Sequence, residues 1–135
     1  MRGHQPPLPQ RRLRAPTELY LAVHRCDGLE RGLYRYDPLG HALIALPGGD
    51  GAVDALLREA EAATTSASRP NVHLTLVSRI KRLSWKYAAH SYALTLKNAG
   101  VLLQTLYLVG TEMGLSGCAL GGGSAPHKGV GALAA

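Results

Sequence analysis

A lysine next to a tyrosine is the most chemically informative pair in this chain. Lys86 and Tyr87 place an ammonium beside a phenol, two groups that can transfer protons when burial tunes them. Further along, residues 121–123 form a glycine run after a long apolar segment. Glycines let backbone N–H groups approach a flat cofactor closely. Together the two segments suggest a flavin site, although neither is decisive alone.

Each of these features also has a plainer explanation. Lys86 and Tyr87 could be a surface lysine and a core tyrosine on one amphipathic helix, and the glycine run could be a flexible turn. The cluster Arg11, Arg12 and Arg14 is most simply a solvated arm, although guanidinium groups also bind phosphate well. The residues alone leave both sets of alternatives open.

The composition describes one small globular domain. The chain has 135 residues, of which 46% are hydrophobic, but it contains no Phe and one Trp. A core built from Leu, Ala, Val and Tyr is small, so we expect a partner chain to complete it. The net charge is +6, yet the basic residues are scattered and lack interleaved aromatic residues. We therefore do not expect nucleic acid as a partner.

Metal, disulfide and membrane chemistry find little support in the sequence. Cys26 and Cys118 are too few for a disulfide or metal framework, and Cys118 is expected to be a small buried residue. The six histidines show no metal-ligand spacing, so no metal site is expected. No apolar run reaches about 18 residues, which argues against a membrane span, and a reducing cytoplasmic location is the default.

The apolar pattern predicts alternating strands and helices after a basic, proline-rich arm at residues 1–16. The predicted strands are Glu18–His24, Gly32–Tyr36 paired with His41–Leu46, Asn71–Val77 and Cys118–Leu120. The predicted helices are Asp50–Ala63, a basic helix capped by Ser78 and running through Lys86, and Leu94–Met113 ended by Gly114. Tyr34 and Tyr36 share a strand face and are expected to pack. We expect Leu94–Met113 to be buried deeply or to lie at a subunit interface.

Five motifs in this order resemble the SagB-type azoline dehydrogenases of the FMN-dependent nitroreductase superfamily. The resemblance covers about residues 16–123 and rests on Pro16–Val23, Gly32–Pro38 with His41–Leu43, Trp85–Tyr87, Ala99–Leu108 and Gly114–Ala119. It implies an α+β fold in which a nitroreductase-like sheet is packed by helices. It also implies a partial nitroreductase-like domain at residues 17–125, followed by a flexible tail at residues 126–135.

The resemblance assigns roles to the candidate residues. Lys86 and Tyr87 would support proton abstraction while a hydride leaves a peptide thiazoline or oxazoline for FMN, giving a thiazole or oxazole. The backbone N–H groups of Ala119, Leu120, Gly121 and Gly122 would face the flavin. Arg11, Arg12 and Arg14 would bind the FMN phosphate, although Leu13 stands where the family has a serine.

The resemblance also leaves gaps that affect the partners. Compared with the family, the chain looks truncated at both ends, so its fold is expected to be incomplete as a single chain. A homodimer or a complementing subunit would then finish the site, in contact with a peptide substrate and a cyclodehydratase complex. Two other functions stay open: a non-catalytic, degenerate scaffold or binding subunit of a peptide-modifying complex, and a general NAD(P)H-dependent flavin nitroreductase.

Overall fold

The computed structural model describes residues 17–64, 68–78, 91–121 and 132–134. These ranges contain six strands and two helices. The strands are β1 (Thr17–Val23), β2 (Gly32–Asp37), β3 (Ala42–Leu46), β4 (Val72–Ser78), β5 (Cys118–Leu120) and β6 (Ala132–Ala134). The helices are α1 (Gly49–Ala63) and α2 (Ser91–Glu112). The fold is α+β, as the resemblance implied.

All six strands form one sheet in the order β3-β2-β1-β4-β6-β5, and every neighbouring pair is antiparallel. The predicted hairpin is present as β2 and β3. The central strands β1 and β4 pair along their whole length, with Ala22 opposite His73 and Leu21 opposite Leu74. Because side chains alternate along a strand, Ala22 and His73 lie on one face of the sheet, whereas Leu21 and Leu74 lie on the other.

Helix α1 covers the face that carries Ala22. Val53 and Leu57 of α1 are almost fully buried and pack with Ala22, and Leu33 of β2 lies beside this cluster. The apolar residues recur at helical spacing, which is why the sequence predicted this helix correctly. Burying each large aliphatic side chain contributes about 1.5 to 3 kcal/mol of transfer free energy. Leu57 and its neighbours therefore hold the helix on the sheet.

Helix α2 lies beside the opposite face, where Leu74 and Leu106 line one cavity. Thr95 and Ala99 are buried, but much of the helix is not. Among the described residues, eight of the eleven exposed large hydrophobic side chains belong to residues 92–115. Deep burial, one of the two environments predicted for this helix, is therefore wrong. The other environment, a subunit interface, remains a prediction.

The structure also bears on the expectations for Ser78, for the tail at residues 126–135 and for the tyrosines of β2. Ser78 is the last residue of β4, and the basic helix predicted to follow it lies outside the described residues. The segment expected to be a flexible tail contains β6, which pairs with both β4 and β5. Tyr34 and Tyr36 are half-buried, and the Tyr34 hydroxyl donates to the Glu30 carbonyl. Neither described helix is long and apolar enough to cross a membrane.

Candidate functional site

The chain reverses direction between α2 and β5, and this turn positions the candidate cofactor segment. Gly114 adopts φ +72°, a left-handed conformation that glycine reaches without steric cost. The Leu115 N–H donates to the Gly110 carbonyl, and the Gly114 N–H donates to the Thr111 carbonyl. This pair of bonds is the Schellman motif, which ends a helix and satisfies its last carbonyls. The turn leads directly into β5.

Strand β5 is anchored on the α1 side of the sheet. Leu120 is buried and packs against Ala60 of α1. Ala119, the preceding residue, lies on the other face of the sheet; it pairs with Leu133 of β6 and is exposed. The side chain of Leu120 therefore serves packing, whereas its neighbours Ala119 and Gly121 are exposed residues.

The hydroxyl group of Tyr107, a residue of α2, forms a hydrogen bond with the backbone of β5. The Ala119 N–H donates to the Tyr107 hydroxyl oxygen, with an N to O distance of 2.6 Å. A cofactor could use the Ala119 N–H only by displacing this phenol. The sequence did not indicate Tyr107 as a site residue, because nothing in its spacing to Ala119 signals a contact between a helix side chain and an edge strand.

Gly121 leaves room for a flat group beside the end of β5. A Cβ placed on Gly121 would meet no atom within 4 Å. The neighbouring Ala119 carries only a methyl group and is exposed. Small exposed residues at this point fit the approach of an isoalloxazine ring to the backbone, which bulky side chains would obstruct. Gly122 lies outside the described residues.

A nearby cavity is too small to be the cofactor site. It lies between α2 and the turn before β5, is lined by Leu74, Leu106 and Met113 among others, and has a volume of about 170 Å³. Pockets for ligands of cofactor size typically measure about 300 to 1,000 Å³. The apolar lining also offers few polar groups that could orient a ligand. We therefore place the candidate site at the exposed backbone of β5 and Gly121.

A network of charged side chains links α1 to the loops around it. Arg31 donates to Asp54 at 2.8 Å and to Asp50 at 3.2 Å, while Arg69 donates to Asp54 at 3.0 Å and to Glu61 at 2.7 Å. The hydrogen bond from Arg31 is the main reason that the pKa of the Asp54 carboxyl is lowered. Since both arginines are neutralised by carboxylates of α1, we assign this network to structure rather than to ligand binding.

A titratable side chain of β4 is buried in the sheet. His73 of β4 is 5% exposed, and its Nδ1 has no hydrogen-bond partner among the residues that the structure describes. Burial lowers the pKa of this imidazole, and the carboxylate of Glu59 opposes the shift only partly. His73 faces α1 rather than the exposed backbone of β5 that Tyr107 contacts. It is a packing residue that prefers to be neutral.

The other candidate residues are Cys118, which the structure describes, and five residues that lie outside the described ranges. Cys118 is exposed, so the expectation that it is a buried residue is wrong. The described ranges contain no group of side chains that could hold a metal ion. Lys86, Tyr87, Arg11, Arg12 and Arg14 all lie outside the described residues. Their roles stay predictions.

Comparisons with known proteins agree with this fold. The chain is similar in structure to a chain of the "E. coli Microcin synthetase McbBCD complex with truncated pro-MccB17 bound", with a TM-score of 0.74 and 18% sequence identity. The likeness covers 88% of this chain and 50% of that chain, so this chain spans about half of the length of its structural relative. None of the curated proteins matches the sequence. The model of the nitroreductase family matches residues 14–130, nearly the whole chain, and the protein therefore belongs to the nitroreductase family.

Proposed function

We propose that the protein is an FMN-dependent dehydrogenase that oxidises peptide thiazolines or oxazolines to thiazoles or oxazoles. The observation that carries the proposal is the family match over residues 14–130, because nitroreductases are flavin oxidoreductases. The structural likeness to a chain of a peptide-bound synthetase complex supports a peptide as substrate. The five motifs that end in Trp85–Tyr87 and Gly114–Ala119 support the azoline branch.

The chain's own residues would divide the work of binding and proton transfer. Arg11, Arg12 and Arg14 would hold the phosphate of FMN through bidentate hydrogen bonds. The exposed backbone at Gly121 would accommodate the ring. Bound FMN would supply the two-electron acceptor for the hydride. Lys86 and Tyr87 would accept the ring proton, which requires the pKa of the acting base to lie near the working pH.

Assembly and location complete the proposal. We infer that the protein acts as a homodimer or with a complementing subunit, in a cytoplasmic complex that contains a cyclodehydratase. Support comes from the exposed apolar surface of α2 and from the multi-subunit character of the structural relative. A flavin reductase or a non-catalytic subunit would share the fold, so the experiment must separate the three.

The test is the oxidation of a peptide azoline by the FMN-loaded protein, followed by mass spectrometry for the loss of two hydrogens. Lys86→Ala should lower turnover by about 10² to 10⁴ fold, the usual contribution of a positioned acid or base, while FMN remains bound. Lys81→Ala is the matched control and should keep its turnover. Unchanged turnover in Lys86→Ala would remove the proton-transfer role.

Two further outcomes identify the alternatives. Rapid bleaching of the flavin by NAD(P)H, with reduction of a nitroaromatic and no azoline oxidation, would assign the general reductase. Absence of flavin from the purified protein and its complex would assign a non-catalytic subunit.

A further inference from the structure

The phenol of Tyr107 covers a backbone donor of the candidate cofactor segment. The Ala119 N–H donates to the Tyr107 hydroxyl oxygen, with an N to O distance of 2.6 Å. Among the described strands, β5 pairs with β6 alone and is the last strand of the sheet. An antiparallel pair uses the N–H groups of alternate residues, so the other N–H groups of an edge strand point away from the sheet. Tyr107 therefore satisfies a donor on the outer edge of β5.

The small cavity between α2 and the turn before β5 lies beside this phenol. Tyr107 is one of the residues that line it, and its volume is about 170 Å³. An apolar cavity of roughly 150 Å³ can hold a benzene molecule, so this space is large enough for a phenol ring. The lining also includes Thr111 and Ser116, whose hydroxyl groups can form hydrogen bonds with a phenol. Aromatic side chains on a helix have two favoured χ1 angles, about 180° and about −60°, so a second position of the ring is sterically allowed.

We propose that Tyr107 is a positioning residue that holds the Ala119 N–H until FMN binds and then turns its ring into this cavity. The inference rests on the proposed function, because FMN is the group that takes over the N–H. The Ala119 N–H exchanges the phenol oxygen for an acceptor atom of the flavin ring, so this donor keeps a hydrogen bond in both states. The Tyr107 hydroxyl exchanges Ala119 for the hydroxyl groups of the cavity. The open space beside Gly121 leaves the edge of β5 accessible during the exchange.

This exchange makes the Tyr107 hydroxyl a competitor of the cofactor. The state in which the phenol covers Ala119 does not offer its N–H to FMN, and the population of that state lowers the apparent affinity for FMN. The net contribution of one such hydrogen bond corresponds to roughly two- to tenfold in an equilibrium constant. The phenol therefore stabilises the protein without FMN and weakens the binding of FMN by the same factor. A residue that only supports the fold would have the first effect without the second.

Tyr107→Phe tests the competition, because it removes the hydroxyl and keeps the ring. The dissociation constant of FMN, titrated by flavin fluorescence, should fall by about two- to tenfold. Without FMN the variant should unfold at a lower urea concentration than the wild type, and with saturating FMN this difference should disappear. Tyr34→Phe is the matched control, because it removes a hydroxyl that donates to the Glu30 carbonyl. It should leave the FMN dissociation constant unchanged and lower the stability equally with and without FMN.

Gly110→Leu tests the position to which the ring turns. Gly110 lines the cavity, and a Cβ placed there would meet no atom closer than 3.9 Å, so a leucine can enter and fill the space. With the cavity filled, the FMN dissociation constant should rise about tenfold, the usual scale of overpacking. Gly100→Leu places the same side chain on an exposed part of the same helix and should leave FMN binding unchanged.

The outcomes separate this inference from the proposed function. If Tyr107→Phe binds FMN as the wild type does, or more weakly, the phenol does not compete with the cofactor, although the flavin site itself stands. If Gly110→Leu binds FMN as the wild type does, the ring does not turn into the cavity. Absence of bound FMN from the wild type and the variants, alone and in the complex, would overturn the proposed function and this inference with it.

Discussion

His73 illustrates how one buried side chain can make the fold sensitive to pH. Its imidazole is 5% exposed, and burial lowers its pKa in the folded state. The unfolded chain has the ordinary histidine pKa near 6.5, so the unfolded state binds more protons once the pH falls below about 6.5. Stability is complete above that pH and decreases as the pH falls toward the folded-state pKa.

We therefore predict that the free energy of unfolding decreases between pH 7 and pH 5, with a slope of up to about 1.4 kcal/mol per pH unit from His73. His73→Leu should remove this part of the decrease, because leucine has no proton to bind. Urea titrations at several pH values measure the slope. His41→Asn, on the exposed β2–β3 turn, is the control and should keep the wild-type slope. An equal slope in wild type and His73→Leu would contradict the assignment.

Individual residues also show what the sequence could not reveal. The candidate segment Ala119 to Gly121 was indicated by the glycine run and by the family resemblance, whereas the residues alone left a flexible turn as an equally open alternative. The Tyr107 hydroxyl that binds the Ala119 N–H was missed, since this contact arises only when α2 folds back beside β5. Cys118 was expected to be buried because cysteines usually are, but its position on the short strand β5 leaves it exposed.

At the level of elements, local patterns predicted most of the described secondary structure. α1 and the β2–β3 hairpin followed from apolar spacing and turn residues, and Gly114 followed from its place after a helix. β6 was missed because a short segment of Ala and Leu lacks the β-branched residues that signal a strand. For α2 the sequence left deep burial and a subunit interface open, because a helix that is apolar on most faces does not indicate which face is covered.

Substitution by alanine should change the stability in opposite directions at Gly100, within α2, and at Gly114, just after the helix. Gly114 has φ +72°, so Gly114→Ala forces a left-handed alanine and should destabilise the protein by about 1 kcal/mol. Gly100 is an exposed residue within the helix, and a Cβ there meets no atom within 4 Å. Gly100→Ala should stabilise the protein by about 0.5 to 1 kcal/mol. Chemical denaturation measures both. A Gly114→Ala variant as stable as the wild type would contradict the left-handed end of α2, and a destabilised Gly100→Ala variant would contradict the open space at Gly100.

At the level of the whole molecule, the family assignment and the fold agree, whereas the complete site depends on segments outside the described residues. The sheet packs against α1 to form a hydrophobic core, and the space beside Gly121, at the end of β5, is open. The chain covers 50% of the matched chain of the synthetase complex. A cofactor site forms only when the segments of the chain fold together. The change in the free energy of unfolding on adding flavin therefore measures whether this chain forms the site.

A ligand that binds only the folded state stabilises it by an amount that rises with the logarithm of the ligand concentration divided by its dissociation constant. FMN at about 100 times its dissociation constant should raise the free energy of unfolding by about 2.7 kcal/mol. Riboflavin keeps the ring but lacks the phosphate, so it should need a higher concentration for the same effect. Replacing Arg11, Arg12 and Arg14 together by Ala should remove the advantage of FMN over riboflavin, because only the phosphate contact is lost. Thermal unfolding with each ligand gives the comparison. If the triple variant still prefers FMN, the phosphate is held by other residues; if neither ligand stabilises the wild-type chain, this chain does not form the flavin site by itself.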